Sequence, residues 1–175
     1  NCLPKTAWPS DFLKKLAAEY PDRRLTFCLD VSYIDFDGTF EETRSIFDSI
    51  HDMPGNMMTL VVFSMSKSYT MCGMRCGAIV CLAETKEAAD LFKAAMSYSS
   101  RSVWSNVVRI AQRILVDINL NPEVKAEVDK ERLVFSELIT KRGQTFYGEA
   151  QRVGLKCCPY KHGYFIAIPC KNPAK

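Results

Sequence analysis

The stretch Phe63-Ser64-Met65-Ser66-Lys67-Ser68-Tyr69-Thr70-Met71-Cys72-Gly73-Met74-Arg75-Cys76-Gly77 decides how this chain reads. Thr59 to Phe63 leads into it as a short apolar run of strand length, and Cys76 to Leu82 leaves it in the same way. Its polar residues therefore fall at a strand end, where α/β sheets bind ligands. Lys67 is flanked by hydroxyls and small residues rather than by other charges. A lysine sheltered from water gives up its proton more readily, and a neutral amine can condense with an aldehyde to form an imine. Arg75 offers a planar fork of donors suited to a phosphate, and Ser64 and Ser66 add hydroxyls for the same oxygens. Taken singly, Lys67 reads as a solvated loop lysine and Arg75 as half of a surface ion pair. The joint pattern S-x-S-K followed by G-x-R-x-G is far rarer than either residue.

Towards the N-terminus, Leu25 to Val31 has the near-continuous apolar pattern of a strand buried on both faces, as in a parallel sheet. It runs into Cys28-Leu29-Asp30-Val31-Ser32-Tyr33, which places an acid and a tyrosine at that strand's end. Residues 1–8 carry turn chemistry. Pro9-Ser10-Asp11 opens a helix to about Tyr20, which Pro21-Asp22 breaks. A short helix near Glu41 to Ser49 and a turn at Pro54-Gly55-Asn56 follow.

Towards the C-terminus, Thr85 can cap a helix running to about Tyr98. The polar stretch Ser97 to Ser102 interrupts it, and a second helix spans about Trp104 to Ile118. Asn121-Pro122 starts a long helix to about Val153, with Val124, Val128, Val134 and Leu138 on its inner side. Leu155 to Cys158 and Tyr164 to Ile168 read as strands around the turn Lys161-His162-Gly163. Strands alternating with helices argue for α/β architecture. The long helix reads as a bridge, dividing the chain into 1–120, part of a large domain, and 121–175, the bridge and the start of a smaller one.

Composition narrows the classes. A chain of 175 residues can bury one core, and 47% hydrophobic residues is ordinary for a soluble globular protein. A net charge of +3 from 23 basic and 20 acidic residues, scattered rather than clustered, points away from nucleic acid and anionic membranes. The longest apolar runs, such as Met57 to Phe63, fall far short of the roughly 20 residues a spanning helix requires. Eight cysteines without a C-x-x-C pair, beside only His51 and His162, do not make a structural metal site. Cys28, Cys81 and Cys170 lie in apolar runs, so the thiols are expected to be reduced core residues of a cytoplasmic protein. The abrupt ends, Asn1 and Pro173-Ala174-Lys175, suggest a fragment.

The lysine and arginine motifs together resemble the cofactor segment of the class I and II aminotransferases, whose fold is the aspartate aminotransferase type of pyridoxal-phosphate enzyme. That resemblance implies a mostly parallel sheet in a large domain, followed by the start of an α+β small domain. It implies pyridoxal 5'-phosphate as cofactor, held as an imine on Lys67, with Ser64, Ser66 and Arg75 at the phosphate. Asp30 would pair with the pyridine nitrogen and Tyr33 with the ring's phenolic oxygen, and the separation of Asp30 from Lys67 also fits the family. Arg101-Ser102-Val103-Trp104-Ser105-Asn106 resembles the segment whose arginine reaches a partner subunit's site to bind a substrate's distal carboxylate. Val107-Val108 departs from the proline pair usual there. Asn1 resembles the remnant of an Asn-Pro segment near the cofactor.

The implied protein is a homodimer that transfers an amino group between an aspartate or aromatic amino acid and a 2-oxo acid. The chain as it stands lacks the family's remaining cofactor and substrate groups, and is expected to be inactive alone. Three other readings stay open: a lyase or decarboxylase on the same fold, an aminotransferase-like domain of a transcription regulator, and a generic α/β domain.

Overall fold

A computed structural model describes residues 10–50 and 52–170. The readings that rest on residues 1–9, on His51 and on residues 171–175 lie outside these. Helix α1 (Ser10–Glu19) turns Leu13 and Ala17 onto Met57, with Leu25, Phe27 and Met53 packed around them. Strand β1 (Leu25–Asp30) is followed by a 3-10 turn over Ile34–Phe36 and by α2 (Phe40–Ile50). The chain then runs along β2 (Met57–Ser64), parallel to β1, in a register from Leu25 opposite Met57 to Asp30 opposite Val62. This β-α-β unit is the usual solution for parallel neighbours, which a tight hairpin cannot join.

The next connection is different. A single turn of helix, α3 (Met65–Ser68), and a 3-10 turn over Cys72–Met74 reverse the chain at the end of β2. Strand β3 (Gly77–Leu82) therefore pairs antiparallel with β2, Ser64 opposite Gly77, and the sheet order is β1-β2-β3. The architecture is α/β as expected, with one parallel and one antiparallel pairing among the described strands. Gly77 makes the reversal possible. A Cβ there would stand 2.5 Å from the Phe63 carbonyl oxygen, a backbone atom that cannot swing aside.

One face of the sheet is packed. Val31, Ile50 and Val61 form its centre, with Phe27, Leu29, Ile34, Phe47 and Phe63 against them. A second cluster forms behind the chain reversal, where Met65 and Cys76 meet Ala111 of α5 (Arg109–Leu120). The expectation that β1 is buried on both faces is not met. Thr26, Cys28 and Asp30 are exposed, and β3 is exposed along most of its length. The thiols are correspondingly not all core groups. Cys76 is buried, Cys81 is half-buried, and Cys28 and Cys170 are exposed; every described cysteine is free.

Helix α4 (Lys86–Val103) starts on Thr85, whose hydroxyl accepts from the Ala88 amide at 3.2 Å. It runs straight through Ser97–Ser102, because serines facing water cost a helix little once neighbouring turns are formed. Helix α6 (Pro122–Arg152) starts as read, with the Asn121 side chain accepting from the Glu123 and Val124 amides. Its supposed inner residues are another matter: Val124, Val134 and Leu138 are exposed. No strand forms over 155–168. One backbone bond, Cys158 N–H to Ala167 O at 2.8 Å, joins the two segments, and two segments without a third strand make a marginal sheet.

Met65, wholly buried at the chain reversal, gives the first prediction. Met65→Ala should cost about 2–5 kcal/mol, read as a lowered urea midpoint with an unchanged slope. A variant as stable as the parent would show that the reversal is not held by this side chain.

Candidate active site

The site is built on α3 and the loop after it. Ser64, the last residue of β2, caps the turn by accepting from the Ser66 amide at 3.2 Å. Helical geometry then sorts the next residues, because side chains three apart share a face and those two apart point away from each other. Met65 and Ser68 are buried, while Ser66 and Lys67 are half-buried and turn outward. The backbone is pinned from both sides. The Met65 amide donates to Cys76 O at 3.0 Å, and Met65 O accepts from Tyr69 and Met71, each at 3.2 Å.

Ser64, Ser66, Lys67 and Arg75 come together. Arg75 Nη1 stands 3.4 Å from Ser66 Oγ and donates to Cys72 O at 2.8 Å. Arg75 holds a left-handed backbone (φ 50°, ψ 43°), as does Thr70 (φ 52°). Such conformations in non-glycine residues cost of order 1–3 kcal/mol each and persist where the surroundings over-determine them. Here the bonds between Met65 and Cys76 supply that constraint.

Asp30 and Tyr33 arrive on the neighbouring strand end. The Val31 amide continues the ladder to Val62 O at 2.9 Å, which holds the β1 exit against β2. Asp30 Oδ1 accepts from the Ser32 amide at 2.9 Å and from its hydroxyl at 2.5 Å, so both bonds go to one carboxylate oxygen. Tyr33 presents its ring to the lysine, with Lys67 Nζ 5.6 Å from the ring centre. Lys67 forms no salt bridge among the described residues.

Arg101 makes its hydrogen bonds to Ser105 and not to this group. It lies in the last turn of α4, donates to Ser105 Oγ at 3.0 Å, and lines a concavity of about 800 Å³ with Trp104, Ser105 and Asn106. A second concavity, of about 730 Å³, opens at the other end of the strands beside Arg24, Asn56 and Glu84. Neither includes Lys67, which is half-buried. No cluster of three or more His, Cys, Asp or Glu is placed to hold a metal ion among the described residues. No described helix is long and apolar enough to cross a membrane.

Several neighbours of the site carry no signal in the sequence. Tyr164 and Phe165 fold back onto Tyr33, with ring centres 5.3 and 5.2 Å away. Burial pushes the Tyr164 phenol above its ordinary value; the Lys67 charge pulls against that shift, and Tyr33 adds to it. Behind the lysine turn, Asp35 pairs with Arg44, and Arg132 of α6 reaches the turn's own backbone. Burial pushes the Asp35 carboxyl up. The Ser68 hydroxyl, Arg44 and the charge of Arg132 outweigh it and hold the group below the usual carboxylate value. The Ser68 hydroxyl is sealed from water without a fully formed hydrogen bond, and the Asp35 carboxylate is the acceptor beside it.

The chain matches the aminotransferase class I and II family over residues 6–175. It belongs to that family. A solved aminotransferase from Anaerococcus prevotii is 34% identical, with a TM-score of 0.87 over 95% of this chain and 41% of its own. An aromatic-amino-acid aminotransferase from Burkholderia pseudomallei, covalently bound to pyridoxal phosphate, is 20% identical, with a TM-score of 0.67 over 86% of this chain and 38% of its own. A mitochondrial aspartate aminotransferase from Trypanosoma brucei is 20% identical, with a TM-score of 0.63 over 82% and 38%. The last two likenesses speak to the fold alone. The chain spans about two fifths of the length of these aminotransferases. No curated protein matches the sequence.

Asp35 generates a pH prediction. Its folded-state pKa lies below the unfolded value, so its contribution to stability is present above the unfolded value and is lost as pH falls through the folded one. Asp35→Asn should therefore flatten the fall in urea stability below about pH 4, and should also lower stability at pH 7 by leaving Arg44 without its partner. An unchanged acid limb would remove Asp35 from the account.

Proposed function

We propose that this chain carries the cofactor lysine of a pyridoxal-phosphate-dependent aminotransferase that exchanges an amino group between an amino acid and a 2-oxo acid. The observation that carries the reading is the grouping around Lys67: an amine 5.6 Å from the Tyr33 ring centre, on a turn whose Ser66 hydroxyl meets Arg75. These residues fit the cofactor's chemistry. Arg75 and the hydroxyls of Ser64 and Ser66 would hold a phosphate dianion at the end of β2, since a guanidinium and hydroxyls donate to such oxygens without carrying opposing charge. Asp30 has an oxygen free of bonds among the described residues, suited to a protonated ring nitrogen. Tyr33 would donate its phenol to a ring oxygen, a role supported by its ring centre lying 5.6 Å from Lys67 Nζ.

Pyridoxal phosphate, when bound, supplies an aldehyde that condenses with amines and a ring that draws electrons from the substrate's α-carbon. The protein's share is positioning and proton movement. Lys67 Nζ would hold the cofactor and would move a proton at the substrate's α-carbon. Asp30 would keep the ring nitrogen protonated by its negative charge, and Arg75 would neutralise the phosphate. Arg101 would serve a site other than the one on its own chain. Its place in a concavity with Trp104, Ser105 and Asn106 that does not include Lys67 supports the reading that it binds a second carboxylate across a homodimer interface, selecting aspartate-like or aromatic partners. We also place the boundary between the large and small domains at Asn121, where α6 begins.

The test is covalent capture. The full-length protein incubated with pyridoxal phosphate and reduced with borohydride should retain one cofactor on the peptide containing Lys67, read by mass spectrometry. Lys67→Ala should retain none. Capture on another lysine, with Lys67 unmodified, would overturn the assignment.

A further inference from the structure

We infer that Arg132, on helix α6, is a positioning residue that fixes the lysine turn by clamping the carbonyl of Ser68. The inference rests on the functional reading of Lys67 and extends it to a residue 65 positions away in the chain.

One carbonyl of the lysine turn is served by a side chain rather than by the backbone. In α3, Met65 O accepts from the amides of Tyr69 and Met71, and Lys67 O accepts from Thr70 at 3.1 Å. The last carbonyls of any helix have no partner within the helix itself, and a one-turn helix leaves them all so. Ser68 O, immediately after the lysine, receives two bonds from one side chain: Arg132 Nε at 3.0 Å and Nη2 at 2.9 Å. A guanidinium edge meeting a single oxygen with two parallel N–H groups fixes direction as well as distance, because neither side chain nor carbonyl can rotate without losing a bond.

The clamp is itself held. Arg132 Nη1 donates to Asp129 Oδ1 at 2.8 Å, one turn earlier on α6, and Lys125 pairs with the same aspartate from the turn before. The guanidinium lies 5.2 Å from the Tyr69 ring centre, and the Arg132 side chain is only 15% exposed. Its partners are Ser68 and Tyr69 of the lysine turn and Asp129 of its own helix, and its charge acts on Asp35 in the turn that follows Tyr33. Asp35 is bound in turn by Arg44 of α2. The residue after Lys67 is thereby tied to one side chain of α6. A displacement of α6 would be transmitted to the lysine through two short bonds rather than through general packing.

A clamp of this kind predicts effects that a merely stabilising contact would not produce. Arg132→Met keeps the volume and removes every donor; Arg132→Lys keeps the charge and one donor. In the cofactor-free full-length protein, Arg132→Met should raise hydrogen exchange at the amides of residues 69–71 at least tenfold, and Arg132→Lys, which keeps a donor but not the fork, should recover only part of that protection. With cofactor bound, Arg132→Met should lower kcat about tenfold while KM for the amino donor stays within twofold. The pH midpoint of the visible cofactor band should also shift. Exchange at residues 69–71 and kcat both within twofold of the parent would overturn the inference. So would equal losses in the Lys and Met variants, since then the donors would not matter. Failure of the parent protein to capture the cofactor on Lys67 would instead overturn the functional reading, and the cofactor-free exchange would still decide whether the clamp exists.

Discussion

Met65 is the side chain on which the site depends. It sits without exposed surface where β2 stops being a strand, and its amide and carbonyl are bonded across the reversal to Cys76, Tyr69 and Met71. With that residue turned inward, the pitch of a single helical turn sends Lys67 outward. The same pinning holds Arg75 in a left-handed conformation that an unconstrained loop would leave. Apolar burial of one residue is thus converted into the direction of an amine two residues later and of a guanidinium ten residues later.

The charges around this turn are arranged in two layers. In front, Lys67 and Arg75 carry the cationic charge of the turn, and Asp30 ends the neighbouring strand. Behind, Asp35 is boxed by Arg44 and Arg132, out of contact with water on most sides. Burying a carboxylate is costly unless cations and donors repay it, and here both are present.

How much of this could be read beforehand follows from which forces are local. The strands, the Thr85 and Asn121 caps and the grouping of Ser64, Ser66, Lys67 and Arg75 depend on neighbours a few residues apart, and periodicity and capping chemistry expose them. The double burial assigned to β1 was misread because an apolar run records only what a strand can bury. It does not say whether an element of the same chain lies on both faces. The long helix was legible at its start and not along its side, since Val134 and Leu138 are apolar whether or not anything packs on them. The strands read over 155–168 failed for want of a third strand. Arg132 and Asp35 were invisible because each acts on a residue distant in sequence, and nothing in a lone arginine or aspartate states whose carbonyl or hydroxyl it will meet. Tyr164 is a similar case, an aromatic residue brought to Tyr33 only by the return of the chain after α6.

The central claim is that one amine, one carboxylate and one guanidinium grip a single molecule. A crystal structure of the full-length protein with pyridoxal phosphate tests it most directly. The account predicts electron density continuous from Lys67 Nζ into the cofactor, with the phosphate bonded to Arg75 and Ser66 and the ring nitrogen facing Asp30. A phosphate bound away from Arg75, or a ring nitrogen turned from Asp30, would contradict it.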